Sequence, residues 1–542
     1  DEHHFIRPHA DSMFLIGIIQ TIFARGLAKP GRMAGHIKGW DEIAPLVNQF
    51  DMDRIAEVTG IARSDIERIA EEFASAERPV CYGRTGISMV QFAGLTQWLM
   101  QVLNVIVGSM DEIGGMMFPK PAVSSLPLTH SSWDRYRSRV SGRPEFSGEF
   151  PMAILGEEIL TPGDGQVRAL VGLAGNMVLS MADGHHSEKA LQALEFYVAV
   201  DPYLNETTRF ADVILPPCGP LEKGHYDMFY HLYDTINWSK YSQPLFITEH
   251  SKWTDFEIFT ELMGRFAHER AGNPARKLLI RCAHSLARRL LNPERIVALG
   301  LRFGPYGKGL NPFKRNALSL QKLKDNPHGV FLGDLEYSLP EGLYTSDKKI
   351  NLAPEVFVND LPRLKAHFVD GGMEAEEAES GFDLKIISRL TNRTLGWMHH
   401  SRRLVKGKNP CELMINPQDA RARQISPDSL VSVKSRTGDI QLPVTITEDV
   451  MPCVVCMPHL WGHNRKNTRQ RVANAHPGVS MNDLTDVKGI YQLTGNAIVN
   501  GVPVRVAAVD TVQGMEPTHE DEIVEEYAPG KHAQAPASVG EV

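Results

Sequence analysis

The sequence has few cysteines, no excess of basic charge and no long apolar run. Six cysteines are scattered over 542 residues, and so sparse a set cannot form the disulfide framework of a small secreted domain. The formal net charge is −8, which argues against a nucleic-acid partner because a nucleic-acid-binding face is usually basic. These absences exclude a disulfide-stabilised scaffold and a nucleic-acid-binding protein.

The most apolar run extends from residue 13 to 23 and contains Gly17, Gln20 and Thr21. It is too short to cross about 30 Å of hydrocarbon, so we predict no membrane span. The chain starts with Asp1 rather than Met. We therefore expect the carboxy-terminal part of a longer protein, with any export signal upstream. The scattered cysteines favour a reducing, cytoplasmic compartment.

A chain of this length is expected to form several domains, since single cores stop growing at about 250–300 residues. Apolar spacing after Asp11 predicts an N-capped, buried helix, and Ser64 with Glu67 predicts a capping box before a second helix. A strand is predicted over residues 79–82 and an apolar helix over about 95–107. This alternation of helix and strand predicts an α/β fold.

Three apolar segments predict a second unit, at residues 167–174, 197–200 and 211–215. Their residues are continuously apolar and do not alternate with polar ones, which is typical of parallel strands buried on both faces. Between the first two, residues 187–195 have the pattern of a helix. We therefore predict a parallel sheet covered on both sides.

The last third of the chain has a β pattern that begins near residue 383, after a less regular stretch at 272–376. Residues 430–435 and 440–447 alternate apolar and polar around Thr437-Gly438-Asp439, which predicts a hairpin. Short strands continue to about residue 509 and suggest a barrel. The acidic tail that follows Glu516 is predicted to be disordered.

Polar residues follow the predicted parallel strands where ligands bind such sheets, at the carboxyl ends. Gly175 would let a phosphate approach the backbone, and the helix that starts at Asn176 offers free N–H groups. Asp201 can accept hydrogen bonds from a ribose or from guanine, and Lys223 can pair with phosphate. From spacing alone, a plain turn at Gly175-Asn176 and a helix cap at Asp201 explain the pattern equally well.

The cysteines and the paired histidines are predicted to have structural rather than catalytic roles. Cys453-x-x-Cys456 lies in an apolar strand with no second pair, whereas a tetrahedral metal site needs about four ligands. Cys218 is predicted to be a packed loop thiol. The histidine pairs at 3–4, 185–186 and 399–400 are more often surface or capping residues. The sequence therefore predicts no metal site of its own.

In combination, these segments resemble the dimethyl-sulfoxide-reductase family of molybdopterin oxidoreductases. The most specific part is NETT at residues 205–208 followed by ADVILP at 211–216, within a stretch that starts VGLAGN at 171. The run LMINPQDARARQISPDSLVSVKSRTGDIQLPVTITEDV, with Met457-Pro458-His459 after it, resembles the family's pterin-binding barrel. Residues 5–11 and 84–86 resemble its third domain. Within the family, GRTGIS, WMHH and GVPV most resemble the formate-dehydrogenase-like branch and poorly characterised soluble dehydrogenases.

The resemblance implies parallel-sheet nucleotide-binding α/β domains followed by a six-stranded barrel of the double-psi type. Its domains are expected as follows: the remainder of the third domain at 1–165, the second half of the nucleotide-binding domain at 166–330, a connecting segment at 331–380, the molybdopterin-binding barrel at 381–512 and a disordered tail at 513–542.

The resemblance also implies which residues hold the cofactor, bis-molybdopterin guanine dinucleotide with molybdenum or tungsten. One guanosine would meet Gly175, Asn176, Asp201, Thr207, Lys223 and Asp255. The other would meet His9 and Asp11, with Arg84, Thr85 and Gly86 near its pterin. The barrel would contribute Ser388, Arg389, Asn392, Met398, His399, His459, Asn482 and Asn500.

Two departures from the family pattern affect these expectations. Met177 stands where the family usually has proline, and His9-Ala10 stands where it has glycine followed by threonine or serine. The role of His9 is therefore open, and for the pair His399-His400 a cofactor role and a surface role have equal weight.

The implied activity is a two-electron oxidation or reduction of a small substrate, formate-like or by oxygen-atom transfer. The family's metal ligand and 4Fe-4S cysteines would lie upstream of Asp1, so these residues alone are expected to be inactive. Electrons would pass to a redox partner such as a ferredoxin-like or an iron–sulfur/flavin subunit. The alternative is a metal-free structural subunit of the same fold in a larger electron-transfer complex.

Overall fold

The structure, a computed structural model, describes residues 1–124, 132–246, 253–311, 313–314, 316–390, 396–407 and 409–509. Asn392 and the predicted acidic tail lie outside these residues. None of the helices within the described ranges is long and apolar enough to cross a membrane. All six cysteines are free thiols.

The first part of the chain is mainly helical and is built around a large apolar core. Met13, Ile16, Ile19 and Ile22 of its first helix are fully buried, because this helix packs against four others and is apolar on nearly all sides. Its elements are α1 (Asp11–Ala24), β1 (Ile37–Lys38), α2 (Trp40–Val47), α3 (Met52–Thr59), α4 (Arg63–Ser75), α5 (Ala93–Ile106), β2 (Trp133–Arg137), β3 (Pro144–Phe146) and α6 (Leu155–Leu160).

Two predictions of helix caps in this part are wrong. Asp11 is the first helical residue, and neither α1 nor α4 has a side-chain cap. Glu67 does not form a capping box with Ser64, because its carboxylate accepts from Arg63 Nε at 2.7 Å.

The predicted strand at residues 79–82 does not form. The side chain of Asn104 accepts from the backbone N–H of Cys81 at 2.8 Å and donates to its carbonyl at 2.9 Å. These two bonds take the place of a neighbouring strand, and the segment belongs to no sheet.

The second part contains the predicted parallel sheet, ordered β4–β5–β6. The elements of this part are β4 (Ala169–Leu173), α7 (Met177–Ser180), α8 (Gly184–Gln192), β5 (Phe196–Val200), β6 (Val213–Ile214), β7 (His225–Tyr226), β8 (Asn237–Ser239), β9 (Tyr241–Ser242), α9 (Asp255–Arg270), α10 (Pro274–Leu290), α11 (Pro293–Phe303) and α12 (Leu320–Lys324).

The prediction that both faces of this sheet are covered holds for β5 and fails for β4. Residues 197–200 are buried, whereas Val171 and Leu173 are 38% and 49% exposed. The difference follows from position, because β5 is the central strand and β4 lies at the edge of the three described strands.

The connecting segment returns to the first core. Leu339, Leu352, Leu364 and Phe368 are buried within the same apolar cluster as α1 and α5, and β11 pairs in parallel with β1. Its elements are β10 (Val330–Gly333), β11 (Ile350–Asn351), α13 (Glu355–Val358), α14 (Leu361–Phe368) and α15 (Gly372–Ser380).

The predicted barrel is confirmed as a closed sheet of six strands with its own apolar core. Its strand order is β12–β16–β13–β15–β14–β17, and the predicted hairpin is the antiparallel pair β14–β15. Its elements are β12 (Leu384–Arg389), α16 (Arg402–Val405), β13 (Leu413–Ile415), α17 (Pro417–Ala422), β14 (Leu430–Lys434), β15 (Asp439–Ile446), β16 (Val454–Pro458), α18 (Arg471–Asn474) and β17 (Val502–Ala508).

Gly501 joins the barrel to the first part of the chain, and its replacement by alanine should be costly. Its φ is +74°, and a Cβ there would overlap the imidazole of His9. Gly26 is a matched control, because its φ is +65° and a Cβ there would meet nothing. We expect Gly26→Ala to cost about 1–2 kcal/mol of backbone strain. Gly501→Ala should cost about 1–3 kcal/mol more through overpacking. Equal shifts of the Tm in thermal unfolding would contradict this contact.

Candidate functional site

The turn after β4 is tied to the segment before β6 through Asn176. The chain leaves Leu173 through Ala174, whose φ is +48°, and through Gly175. The Asn176 side chain donates from Nδ2 to Glu206 at 2.7 Å and accepts at Oδ1 from Thr207 Oγ1 at 2.8 Å. The ends of two strands are thereby fixed relative to each other.

Asp201 lies at the end of β5 and is 3% exposed. Its Oδ1 accepts from the backbone N–H of Tyr203 at 2.8 Å, and Oδ2 accepts from Asn205 Nδ2 at 3.3 Å. Burial raises the pKa of Asp201 above its usual value. An ionised carboxylate has about four acceptor positions, so Asp201 supports this turn and keeps acceptor capacity for a ligand.

Lys223 and Asp255 are paired with each other. The ammonium nitrogen of Lys223 lies 2.7 Å from both carboxylate oxygens of Asp255, the first residue of α9. A phosphate at Lys223 would therefore share the cation with Asp255.

Glu206 is the functional candidate that sequence reasoning missed, although it lies inside the signature at 205–208. It is fully buried. Its oxygens accept from Asn176 Nδ2 at 2.7 Å, from Gln470 Nε2 at 2.9 and 3.0 Å, and from His463 Nδ1 at 3.2 Å. Burial alone would raise the pKa of Glu206, but the hydrogen bond and charge of His463 outweigh it and lower the pKa to about 2.

His463 extends this contact to the pair His399-His400. Its Nε2 lies 2.7 Å from His399 Nδ1. The ring of His400 stacks on Tyr203 with centroids 3.7 Å apart. Burial, followed by the charge of His463, lowers the pKa of His400 to about 4. The histidines after β12 therefore lie against the end of β5, beside Asp201.

Four of the predicted barrel residues lie on one rim, where the parallel strands β12 and β16 end together. The N–H and Oγ of Ser388 both donate to Asn500 Oδ1 at 2.8 Å. The carbonyl of Arg389 accepts from the N–H of His459 at 3.1 Å. Asn482 lies in another loop and donates to the carbonyl of Leu179 in α7 at 2.7 Å, so the barrel loops meet the strand-end crevice.

Several polar atoms near this rim are buried without a hydrogen-bond partner among the described residues. They are Arg389 Nε, His459 Nδ1 and Trp461 Nε1. The Trp461 ring lies 4.1 Å from that of His399, and burial lowers the pKa of His459. An unsatisfied buried donor or acceptor costs about 1–3 kcal/mol, so a polar group bound beside these atoms would gain their hydrogen bonds.

A second group of predicted residues lies where the first part of the chain meets the barrel. His9 accepts at Nδ1 from the N–H of Gln91 and bonds through Nε2 to the carbonyl of Gly501, both at 3.1 Å. Arg84, Thr85 and Gly86 are exposed at the start of a short 3-10 helix. The carbonyl of Met89, at the end of that helix, accepts from the N–H of Asn500 at 3.2 Å.

Asp11 and Met398 complete the predicted set. Burial raises the pKa of Asp11, which is two residues from His9. Met398 is half-buried in the 3-10 helix Gly396–His400. Cys456 is buried in β16 as predicted, whereas Cys453 is exposed. Across the described residues, no group of three or more His, Cys, Asp or Glu side chains could hold a metal ion.

Two family models match this chain, and they coincide with the two halves of the site. Residues 86–265, which include the strand-end crevice, match "Molybdopterin oxidoreductase". Residues 386–503, which form nearly all of the barrel, match "Molydopterin dinucleotide binding domain". The chain belongs to the molybdopterin oxidoreductase family.

Curated relatives agree with this family at low identity. The trimethylamine-N-oxide reductase of Pasteurella multocida is 23% identical over 302 residues, covering 50% of this chain and 36% of the relative. The F420-dependent formate dehydrogenase subunit alpha of Methanocaldococcus jannaschii is 22% identical over 489 residues, covering 84% and 64%. The match therefore spans less than two-thirds of the length of either relative.

The fold has a solved counterpart in acetylene hydratase from Pelobacter acetylenicus. The TM-score is 0.67 at 16% identity, and the match covers 93% of this chain and 71% of that one. At this identity the likeness concerns the fold alone, and it extends over the helical part, the parallel sheet and the barrel together.

The buried His9 should make the stability of this chain sensitive to acid. Burial and then the charge of Lys385 lower its pKa to about 3 in the folded state, from an ordinary value of 6.5. The unfolded chain therefore binds the proton first, and stability is lost as the pH falls from about 6.5 toward 3. His9→Asn should give a smaller fall of the Tm over this range, since asparagine does not titrate and tolerates the positive φ of this position.

His3→Asn is the control for this prediction, because His3 is exposed. It should keep the wild-type dependence of the Tm on pH. If His9→Asn also kept it, another group would be responsible for the acid sensitivity.

Proposed function

We propose that this chain forms the cofactor-binding part of a molybdenum or tungsten oxidoreductase that holds bis-molybdopterin guanine dinucleotide. The cofactor supplies the two-electron chemistry when it is bound. The main support is that barrel loops and strand ends converge, through the Glu206–His463 and Asn482–Leu179 contacts, on one polar crevice. Ligands bind parallel sheets at this place.

The residues present fit such a cofactor. A pterin is flat and rich in hydrogen-bonding groups, and Arg389 Nε, His459 Nδ1 and Trp461 Nε1 are buried without partners among the described residues. Asp201 would accept from the guanine of one dinucleotide. We assign the predicted cofactor-binding set to two groups: Gly175, Asn176, Asp201, Thr207, Lys223 and Asp255 at the sheet, and His9, Asp11, Arg84, Thr85, Gly86, Ser388, Arg389, Met398, His399, His459, Asn482 and Asn500 around the barrel.

We further propose that the substrate is small and exchanges two electrons with the cofactor. The names of two relatives, a trimethylamine-N-oxide reductase and a formate dehydrogenase, support a substrate of this size. The metal ligand, a 4Fe-4S cluster and the electron-transfer partner would belong to other parts of the protein or its complex. The alternative, a metal-free structural subunit of the same fold, predicts neither metal nor guanine nucleotide in the purified full-length protein. Metal analysis and nucleotide chromatography separate the two.

Asp201→Ala should lower the guanine nucleotide content of the purified full-length protein. Loss of the acceptor leaves guanine donors unpaired, at a cost of about 1–3 kcal/mol, which corresponds to about 5- to 150-fold weaker binding. The control is Asp212→Ala at the opposite end of β5, where the carboxylate accepts from the N–H of Tyr197 at 2.7 Å. Acid release and chromatography of the nucleotide give the readout. Equal cofactor content in both variants would show that Asp201 only stabilises the turn.

A further inference from the structure

Helices α10 and α11 concentrate positive charge in an otherwise acidic chain. Residues 274–303 contain seven lysine or arginine residues and one acidic residue, Glu294, whereas the whole chain has a net charge of −8. The carboxylate of Glu294 accepts from Lys324 Nζ at 2.8 Å, so this single negative charge is already balanced. The two helices therefore form a strongly basic region, and none of the residues assigned to the cofactor lies in it.

The face of α10 that packs against α9 is polar. His284 Nε2 lies 3.2 Å from a carboxylate oxygen of Glu261 in α9, and Arg288 donates to the same carboxylate at 2.8 Å. Lys277 pairs with Glu269 at 3.2 Å. A surface helix normally turns its apolar residues inward. Helix α10 does the reverse, and none of its residues is buried.

The opposite face of α10 carries a stripe of exposed leucines. Leu279, Leu286 and Leu290 are 68%, 57% and 54% exposed. Each follows by two positions a residue that pairs with α9, and two positions correspond to about 200° around a helix. Their spacing of seven and four residues places all three on one side of the helix. We call these three residues the leucine stripe.

Helix α11 has the same combination of exposed apolar side chains and arginines. Ile296, Leu299 and Phe303 are exposed, and their spacing of three and four residues places them on one side of this helix. Arg295 and Arg302 stand next to them in the sequence. An apolar surface with basic neighbours therefore extends over both helices.

Arg276 and Arg289 lie on the two sides of the leucine stripe. Both are exposed, and neither guanidinium forms an ion pair with any residue that the structure describes. Because α10 contains no acidic residue, two copies that paired through the stripe would bring like charges together, which is unfavourable. The charge of the stripe therefore disfavours a second copy and favours an anionic partner.

The composition of the stripe favours lipid over an acidic protein. Binding energy at protein interfaces is concentrated in Trp, Tyr and Arg, whereas leucine is under-represented there. Helix α10 contains leucines and no Phe, Tyr or Trp. A face of leucines bordered by arginines is typical of helices that lie on membrane surfaces.

We propose that the leucine stripe binds the surface of a lipid bilayer that contains anionic phospholipids. A helix bound in this way lies in the plane of the interface, with its apolar face about 5–10 Å inside the boundary between headgroups and acyl chains. The three leucines bury their side chains there, while Arg276 and Arg289 contact the lipid phosphates, which attract guanidinium groups. The proposal does not depend on the cofactor.

The test is co-sedimentation of the full-length protein with lipid vesicles. One set of vesicles is an equal mixture of phosphatidylcholine and phosphatidylserine, and the other is phosphatidylcholine alone. We expect binding to the anionic vesicles to be stronger by about tenfold or more. Added salt should weaken it, because salt screens exposed charges. Equal binding to the two compositions, or binding to neither, would overturn the proposal.

Two double variants separate the apolar contribution from the charge. Leu279→Ser with Leu286→Ser keeps the charge and should weaken binding to the anionic vesicles by about tenfold or more. Arg276→Gln with Arg289→Gln keeps the leucines and should weaken binding by about 5-fold for each arginine.

The matched control is Leu221→Ser with Leu245→Ser. These two leucines are 52% and 73% exposed and lie outside α10, so their replacement should leave vesicle binding at the wild-type level. All four leucines are exposed, and the Tm of both leucine variants should therefore stay close to that of the wild type. Wild-type binding by Leu279→Ser with Leu286→Ser would contradict the role of the stripe.

Other occupants of the stripe give different results. If a second copy bound there, the wild-type protein would sediment as a dimer, Leu279→Ser with Leu286→Ser would sediment as a monomer, and neither would bind vesicles. If the acidic tail after Glu516 bound there, only a chain that ends at residue 512 would bind vesicles. Either result would overturn the proposal. Vesicle binding requires neither metal nor nucleotide, so its failure is distinct from a failure of the proposed function.

Discussion

A buried carboxylate needs hydrogen-bond donors in place of water. The donors to Glu206 come from different parts of the chain. Asn176 comes from the turn after β4, whereas His463 and Gln470 come from the long loop after β16. Removing one partner of a buried ion pair costs about 3–5 kcal/mol, because the other charge stays buried and uncompensated. The position of the barrel over the sheet is therefore strongly constrained at this residue. Arg209 and Arg465, both paired with Glu188, and the bond from Asn482 to Leu179 extend the same junction.

The barrel is attached on a second side by contacts of a different kind. His9 is neutral and bridges the N–H of Gln91 and the carbonyl of Gly501, and Asn500 donates to the carbonyl of Met89. These bonds use mainly backbone groups and place no charge in the interior. This attachment reaches the rim at Asn500, whose side chain accepts from the N–H and the hydroxyl of Ser388.

The sequence predicted correctly the elements that depend on a local residue pattern. Predictions were wrong where residues distant in the sequence determine the structure. The hairpin β14–β15 and the barrel followed from alternation and turn residues, and the parallel sheet from apolar runs. The prediction of a strand at 79–82 was wrong because the side chain of Asn104, more than twenty residues away, bonds to the backbone of this segment. Glu206 and His463 were missed as partners because 257 positions separate them. No local pattern reveals that a glutamate in a signature will be buried against a loop of another domain.

The predicted residues differ in how many of their hydrogen-bonding groups remain unused by the protein. His9 uses both ring nitrogens within the protein, so we infer that it positions the backbone near a ligand. Asn176 accepts from Thr207 and donates to Glu206, which also makes it mainly a support. Asp201 has acceptor capacity left, and His459 has an unused buried nitrogen. A ligand bound here would therefore gain most from Asp201 and the His459 side of the rim, while the residues bonded to one another hold that surface in place before the ligand arrives. Such preorganisation would reduce the entropy lost on binding.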